Sequence, residues 1–493
     1  MEDTLREGVK YLKKAEFDKA VELFTEVINS GGENVYWAYV QRGYAYNLKD
    51  QYDQAISDFT MALSLRPNEA DVHDSSAYHG RGMAYLMQGR PDQAFSDLSM
   101  AISLAPQTSL FYRSRGEAYR ETDQYDQAIS DYTTAISLDP DNADVYISRG
   151  KAYSMTNRYD QAISDFTSAI SLNPNEATAY NGRGLAYSLE GQDAQAFSDF
   201  TTAIGLEPNA PDAYAYRGAT YKKTGRFDQA ISDYTTAISL DPNNAKFYIA
   251  RAEAYNHIGR LDQSIGDLTT AISLDPNTDA YVFRAGAYRD KGQFDQAISD
   301  YTSAISLNPH DPVFYTNRGA VYRLKGQYDQ AIGDLTTAIS LDPNAANVYA
   351  FRGTIYRSNG QYDEAINDFT TAISIDPHNA NAYAFRGIVS RDKDQFDQAI
   401  SDLTTAIGID PNNVYAYAFR GEAYNHKGRY DEAISDLTTA IGIEPNDDCF
   451  YAWRGEAYAG KGMKDEAIRD AEKTLSLDPD SQTAKKILRF YEI

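Results

Sequence analysis

Apolar and polar residues follow a pattern along this chain that returns about every 34 residues. The pattern is clearest in residues 211–244, where Tyr214, Gly218 and Tyr221 lie three or four residues apart. Side chains at that spacing share one face of an α-helix. A second set of apolar residues with helical spacing follows in the same copy: Ala230, Ile231, Tyr234, Ala237 and Ile238. Each copy therefore predicts two helices, which we call helix A and helix B.

We number each repeat so that the residue corresponding to Gly218 is position 8. Small residues at positions 8, 20 and 27 predict a close approach of two helices. Asp at position 18 is typical of a helix start, where a carboxylate can accept backbone N–H groups. Pro at position 32 follows the end of helix B. The residues at position 8 define 14 repeats, namely Gly8, Gly43, Gly82, Gly116, Gly150, Gly184, Gly218, Ala252, Ala285, Gly319, Gly353, Gly387, Gly421 and Gly455.

The order Tyr-x2-Arg-Gly-x2-Tyr, then Ala-x3-aromatic, then Pro resembles the tetratricopeptide repeat, and it covers essentially the whole chain. The resemblance implies an all-α fold, an α-solenoid in which antiparallel helix pairs stack into a right-handed superhelix with a C-terminal capping helix. It also implies that helix A of each repeat lines a concave groove. The variable positions 2, 5, 9, 12 and 13 would then face that groove.

The ends of the chain depart from the repeat pattern, as capping elements do. We expect residues 1–35 to form a divergent N-terminal capping repeat, residues 36–481 thirteen tandem repeats, and residues 482–493 a solvating C-terminal helix. The last segment is alternatively a docking tail for another protein. The connection near residues 68–77 is five residues longer than the others. It is either a tolerated loop extension or extra helical turn, or a hinge or lip of the groove.

Position 7 departs from the family pattern in every repeat from the second to the last. The family usually has Leu there, whereas this chain has Arg, with Asp at position 23 of the same repeats. Because an Arg guanidinium can hold a carboxylate with two N–H donors, we predict a ladder of ion pairs between helices A and B. The ladder would fix helix register more than it adds stability. Alternatively, these arginines bind an anionic ligand. The predicted pairs include Arg149–Asp165, Arg217–Asp233, Arg318–Asp334 and Arg352–Asp368.

Repeats 2 and 3 carry apolar residues at the expected groove positions. An exposed apolar patch of this kind is a candidate site for a hydrophobic helix or an extended peptide. The alternative is that the long connection or the first repeat covers the patch. Its residues are Trp37, Val40, Tyr44, Leu48, Met83, Leu86 and Met87.

Position 12 is basic in six repeats, four of them consecutive. In an acidic protein, such a stripe predicts a track for a negatively charged or C-terminal peptide segment. The alternative is a solvated face paired to neighbours such as Asp290 and Asp392. The basic candidates are Arg120, Lys222, Arg289, Arg323, Arg357 and Arg391, with Lys223 at position 13 beside Lys222.

Composition narrows the class of partner. The chain has 493 residues and a net charge of -25, which disfavours DNA and RNA because they require a basic footprint. It contains no run of 18 apolar residues, so we expect no membrane insertion. The N-terminus lacks an apolar leader. The single cysteine, Cys449, excludes an internal disulfide framework and fits a reducing compartment, so a cytoplasmic location is expected.

No residue pattern predicts chemistry. The six histidines lack metal-ligand spacing, and neither a phosphate-binding loop nor a dinucleotide fingerprint is present. We therefore expect no catalysis, no metal and no cofactor. The expected function is a protein–protein interaction scaffold that binds peptide or protein segments in the concave groove. Two alternatives stay open: a structural protein that self-associates through its end caps or its uniform outer face, and a regulatory accessory subunit for an effector on another chain.

Overall fold

A computed structural model describes residues 2–66 and 72–491, and these residues form 29 α-helices and no β-strand. The all-α fold expected from the sequence is confirmed. Packing divides the chain into two compact halves, Met1–Ala254 and Tyr255–Ile493. Helix α15 (Ala245–His257) spans the boundary. The two halves are described separately below.

The first half contains seven helix pairs, each made of one helix A and the helix B that follows it. Its A helices are α1 (Glu2–Lys13), α3 (Val35–Leu48), α5 (Asp74–Met87), α7 (Ser109–Glu121), α9 (Ala143–Met155), α11 (Ala177–Leu189) and α13 (Pro211–Lys223). Its B helices are α2 (Phe17–Ser30), α4 (Tyr52–Ser64), α6 (Pro91–Leu104), α8 (Tyr125–Leu138), α10 (Tyr159–Leu172), α12 (Asp193–Leu206) and α14 (Phe227–Leu240).

The second half contains a helix B, six helix pairs and a terminal helix. Its A helices are α17 (Thr278–Asp290), α19 (Pro312–Leu324), α21 (Ala346–Ser358), α23 (Ala380–Asp392), α25 (Val414–His426) and α27 (Asp448–Gly460). Its B helices are α16 (Leu261–Leu274), α18 (Phe294–Leu307), α20 (Tyr328–Leu341), α22 (Tyr362–Ile375), α24 (Phe396–Ile409), α26 (Tyr430–Ile443) and α28 (Lys464–Leu477). The terminal helix is α29 (Gln482–Phe490).

The turn between helix A and helix B has the same backbone conformation in all 14 repeats. Position 15 has a positive φ, between 56° and 80°, in every one. Gly225 and Asn157 are examples, and glycine and asparagine adopt this left-handed conformation more readily than other residues. The next N–H then bonds back to the last turn of helix A, as Arg226 N does to the Tyr221 carbonyl at 2.8 Å. The conformation ends helix A and reverses the chain, so the paired helices are antiparallel.

The small residues at positions 8, 20 and 27 lie where the paired helices touch. A Cβ atom added to Gly116 would lie 2.7 Å from the ring of Tyr132, and one added to Gly218 would lie 3.0 Å from the ring of Tyr234. Ala230 and Ala237 are 0% exposed. In every repeat but the last, which has Ala471 at position 24, the core thus consists of small residues on helix B and one large position-24 side chain packed against the glycine or alanine at position 8 of helix A.

Position 18 does not cap helix B, contrary to the expectation from sequence. Helix α8 begins at Tyr125, and its N-cap, Gln124, makes no side-chain hydrogen bond to the helix. Asp126 instead lies within the first turn and pairs with Arg158 of the next repeat at 2.6 Å. The carboxylate still meets the positive end of the helix dipole, but its partner is a cation from the next repeat.

Helices A of neighbouring repeats contact one another, as α9 does with α11 and α23 does with α25. Within the described residues of each half, successive helices B do not pack against one another to a comparable extent. Helices A therefore lie closer together and form the inner, concave side of each half.

The described ends and the long connection refine the expected boundaries. Residues 68–71 of the connection lie outside the described residues, and α5 begins at Asp74, one residue before position 1. The described part of the connection therefore adds no helical turn to α5.

At the C-terminus, α29 buries Ala484 and Ile487 against the last repeat, whereas Phe490 is 72% exposed. Residues 492 and 493 of the predicted terminal helix lie outside the described residues.

Candidate functional site

The arginines at position 7 form two-pronged ion pairs with the aspartates at position 23. In the twelve pairs that lie wholly within one half of the chain, Nε and Nη2 of the arginine donate to the two carboxylate oxygens at 2.7–2.9 Å. The structure brings together Arg149–Asp165, Arg217–Asp233, Arg318–Asp334 and Arg352–Asp368 in this way. The arginine side chains are 14–20% exposed and the aspartates 3–10%.

Each ladder arginine also binds the preceding repeat. Nη1 donates to the hydroxyl at position 25 of the preceding helix B at 2.8–3.3 Å; for Arg149 this is Thr133. Tyr146 and Tyr153 flank the guanidinium, with ring centroids at 5.9 and 5.8 Å. One side chain therefore joins three helices. The hydroxyls are Thr25, Thr60, Ser99, Thr133, Thr167, Thr201, Thr235, Thr269, Thr302, Thr336, Thr370, Thr404 and Thr438.

The electrostatics of the ladder favour a structural role. The hydrogen bonds that Asp165 accepts raise the pKa of the Arg149 guanidinium above its ordinary value, while burial raises the pKa of the Asp165 carboxyl group. Nε, Nη1 and Nη2 each donate to an acceptor inside the protein. Few N–H groups are left for an anionic ligand, which disfavours the alternative of an anion site at these arginines.

The apolar groove residues of repeats 2 and 3 divide into two groups. The first group is used in packing between repeats. Trp37 is half-buried, with ring centroids 5.2 Å from Tyr36 and 5.7 Å from His73. The Tyr44 hydroxyl donates to the Ser76 carbonyl at 2.7 Å, and burial raises the pKa of Tyr44. Val40 is 0% exposed.

The second group is accessible. Leu48 is 57% exposed and Met87 is 60% exposed, while Met83 and Leu86 are half-buried. Leu48 and Met87 both occupy position 13, at the end of helix A. Among these groove candidates, the most exposed apolar side chains therefore lie at position 13, whereas Tyr44 is covered by α5.

The basic groove residues of the first half are engaged by carboxylates. Arg120 donates to Glu117 at 2.9 Å and also pairs with Glu121. Lys222 pairs with Glu253. Lys223 pairs with Asp193 at 3.0 Å. The positive charges of all three side chains are therefore offset locally.

The consecutive basic stripe of the second half is largely neutralised too. Arg289 pairs with Asp290 at 2.8 Å, and Arg357 pairs with Asp392 at 2.7 Å. Arg391 contacts Asp392 at 3.3 Å and Glu422 at 3.2 Å, and it lies over the ring of Phe419 at 4.7 Å.

Arg323 is the exception in this stripe. It is exposed, lies over Phe351 at 5.5 Å and forms no ion pair with any residue that the structure describes. Among the four arginines of this stripe, Arg323 alone thus has a positive charge that no described carboxylate offsets.

A cavity opens into the groove of the first half between repeats 4 and 7. Its volume is ≈ 470 Å³, within the range typical of ligand pockets. Phe166 and Gly182 lie at its base. Its walls come from four A helices and the end of one helix B, and include Lys151, Asn181 and Tyr216. The Asn181 Oδ1 atom is buried and has no hydrogen-bond partner. This is a concave site with an unsatisfied polar atom.

His79 and Cys449 lie in surroundings that shift the pKa of each side chain. His79 is buried beside Phe111, its Nε2 lies 2.8 Å from Ser114 Oγ, and burial lowers its pKa to about 4. Asp447, Asp448 and Cys449 lie close together, but Asp447 caps α27 by accepting from the Cys449 N–H. Burial and the neighbouring carboxylates raise the pKa of the Cys449 thiol to about 11, which keeps it protonated near neutral pH.

Sequence reasoning missed the position-25 hydroxyls, the left-handed position 15 and the cavity at Gly182. The first two leave a signal in the sequence, because a hydroxyl residue recurs at position 25 and a turn-forming residue recurs at position 15 in nearly every repeat. The cavity depends on which side chain lies across from Gly182, and the sequence alone does not show that.

Sequence-family models match most of the chain. Models described as "TPR repeat" match residues 116–157, 285–324, 353–390 and 421–462. Models described as "Tetratricopeptide repeat" match residues 36–69, 75–94, 143–176, 177–210, 211–244, 233–266, 312–345, 380–413 and 450–481. The chain is a tetratricopeptide repeat protein.

Several solved structures are similar to this tetratricopeptide repeat chain. The APC/C hetero-tetramer Cut9-Hcn1 is 17% identical, with 99% of this chain and 95% of that chain covered and a TM-score of 0.44. Yeast Tom70 is 17% identical, with coverage of 85% and 95% and a TM-score of 0.39. MamA is 29% identical, with coverage of 33% and 96% and a TM-score of 0.32. No curated protein sequence matches the chain. None of the described helices has the length and apolarity needed to cross a membrane.

Proposed function

We propose that this tetratricopeptide repeat protein is a non-catalytic scaffold that binds an extended peptide or protein segment in the groove lined by helices A. The proposal rests on a contrast between the scaffold positions, which hold the same residue type in most repeats, and the groove positions, which vary. The Arg, Asp and hydroxyl positions of the ladder recur from repeat to repeat, whereas groove positions 9 and 12 change from Leu185 and Ser188 in one repeat to Ala219 and Lys222 in the next. A preformed rigid surface with varied side chains supports binding through several weak contacts.

The partner is proposed to be protein and not nucleic acid. The net charge of -25 opposes binding to a polyanion, and the groove arginines are mostly paired with carboxylates. We also propose a cytoplasmic location, since a chain with a single cysteine suits a reducing compartment.

Panning of phage-displayed random peptides against the full chain tests the scaffold function. We expect enriched peptides, and we expect hydrogen exchange of the complexes to slow in consecutive A helices. Protection confined to helices B would place the binding surface on the outer face and contradict the proposal. Failure to enrich any peptide over a blank surface would also count against it.

Self-association is a second candidate because of one observation at the C-terminal end. Phe490 is 72% exposed beside a cavity of ≈ 340 Å³ that Ile487 and Gly460 help to line. An exposed aromatic residue next to an apolar recess can bury itself in a second copy of the chain. Sedimentation velocity would then show concentration-dependent assembly that Phe490→Ser removes. A monomer at all concentrations would exclude this candidate.

A further inference from the structure

The cavity in the first half lies beside Gly182, which occupies position 6, a position that is aromatic in six other repeats. A position-6 aromatic packs close to the position-24 ring of the preceding repeat. The Tyr216 and Phe200 ring centroids are 6.0 Å apart, and those of Phe385 and Phe369 are 5.9 Å apart. In repeat 6 the corresponding ring is Phe166, but the position-6 residue is Gly182. Gly182 therefore contributes no side chain between the two repeats at this point.

The backbone at Gly182 follows Phe166 closely. A Cβ atom on Gly182 would lie 2.4 Å from the Phe166 ring, so this site excludes any side chain from its own helix. Phe166 is 1% exposed and forms an apolar base for the cavity. Tyr216 of the next repeat stands on the opposite wall. The space thus has an aromatic residue at its base and another at its side.

The charged residues at the rim differ in sign along the groove. Lys151, from repeat 5, is exposed and forms no ion pair with the described residues. Glu207 and Asp212 lie on the repeat 7 side and are likewise exposed and without an ion pair there. Burial and the neighbouring Asp212 raise the pKa of Tyr216. An occupant of the cavity would meet a positive charge on one side and negative charge on the other.

We propose that this cavity binds the aromatic side chain of an extended peptide that carries an acidic residue toward Lys151 and a basic residue toward Glu207 and Asp212. The proposal rests on the scaffold function and specifies one anchor of its ligand. The peptide ring packs against the apolar and aromatic side chains that line the cavity, Met155, Leu185 and Tyr216. A polar group of the peptide, such as a backbone N–H, supplies the donor that Asn181 Oδ1 lacks.

Two labelled peptides of opposite residue order test the anchor by fluorescence anisotropy: Gly-Ser-Glu-Ser-Phe-Ser-Lys-Ser-Gly and its counterpart with Glu and Lys exchanged. Both are acetylated and amidated, because peptide polarity in the groove is not assigned. For at least one order, we expect replacement of Phe by Ala to weaken binding to the full chain by about tenfold. Equal binding of the Phe and Ala forms of both peptides would overturn the proposal.

Ser154→Phe fills the cavity from its wall and is expected to remove the preference for Phe over Ala. Ser188→Phe is the matched control, because Ser188 occupies the same position 12 in the next repeat and does not line the cavity. Lys151→Glu should weaken binding of each peptide order that shows the preference for Phe. Circular dichroism establishes that each variant is folded. An unchanged preference in Ser154→Phe would place the peptide elsewhere.

The anchor and the scaffold function fail in different ways. If phage-selected peptides bind the groove but neither designed peptide does, the anchor is wrong and the scaffold function stands. If no peptide of either kind binds, both are wrong.

Discussion

At the scale of single residues, the ladder arginine has more partners than the sequence suggested. Arg318 donates to both oxygens of Asp334 and to the Thr302 hydroxyl of the preceding repeat. An apolar residue at position 7 could fill the same space but could not join three helices. Because burial of two charges offsets much of their attraction, the ladder contributes more to register than to net stability.

Removal of one partner of an Arg–Asp pair should therefore lower the free energy of unfolding more than removal of both partners. Asp334→Ala leaves Arg318 buried without its carboxylate and is expected to lower the free energy of unfolding by about 3–5 kcal/mol. Arg318→Leu combined with Asp334→Leu should cost distinctly less. Urea denaturation followed by circular dichroism measures both. Asp329→Ala, on the exposed side of the same helix, is the control with little expected effect. A double variant as unstable as the single one would contradict this account.

The buried His79 gives the chain a pH dependence of known sign. Its folded-state pKa of about 4 lies below the ordinary value of 6.5, so the unfolded state binds more protons between these values. Stability is then complete above pH 6.5 and is lost as the pH falls toward 4, by about 2 kcal/mol at pH 5. His79→Asn should flatten this dependence relative to the wild type in urea denaturation at pH 7.5 and 5.0. His310→Asn, at an exposed site, should leave it unchanged.

At the scale of helices, the elements were predictable because the same apolar pattern recurs in 14 repeats. The faces of helices A and B, the close contacts at positions 8, 20 and 27, and the Arg318–Asp334 type of pair follow from residue identity and spacing. The partner of Asp126 was not predictable, because it comes from a different repeat. Asp392 was named from the sequence as a neighbour that could pair with the basic stripe, whereas the pair of Arg391 with Glu422 of the next repeat was not predicted.

The turn between helices A and B supplies a test with opposite signs in one repeat. Gly326 has a φ of 72° and no atom within 4 Å of an added Cβ, so Gly326→Ala should destabilise by about 1 kcal/mol through the backbone alone. Gly333 lies inside α20, also in open space, so Gly333→Ala should stabilise by about 0.5–1 kcal/mol. Thermal unfolding of both variants provides the comparison. If both substitutions changed the stability in the same direction, packing and not the φ angle would determine the effect of an alanine at these positions.

At the scale of the whole molecule, contacts join neighbouring repeats and seldom reach farther. The arginine ladder and the position-14 lysine bridges, such as Lys325–Asp295, both join one repeat to the repeat before it. Stability in such an array is a sum of repeat terms and nearest-neighbour interfaces. A groove built this way can vary one repeat, as it does at Gly182, and leave distant repeats unchanged.

A change at one end should consequently loosen that end alone. Asp470→Ala removes the carboxylate that Arg454 holds in the fourteenth repeat, where α28 packs against the short helix α29. We expect amide hydrogen exchange to accelerate in α27, α28 and α29 and to remain at the wild-type rate in α17 to α20. Asp334→Ala, the same substitution inside the array, should accelerate exchange on both sides of α20 instead. Nearest-neighbour coupling predicts that the change in exchange rate depends on where the substitution lies. If both variants instead accelerated amide exchange uniformly across the second half, these repeats would unfold as one cooperative body.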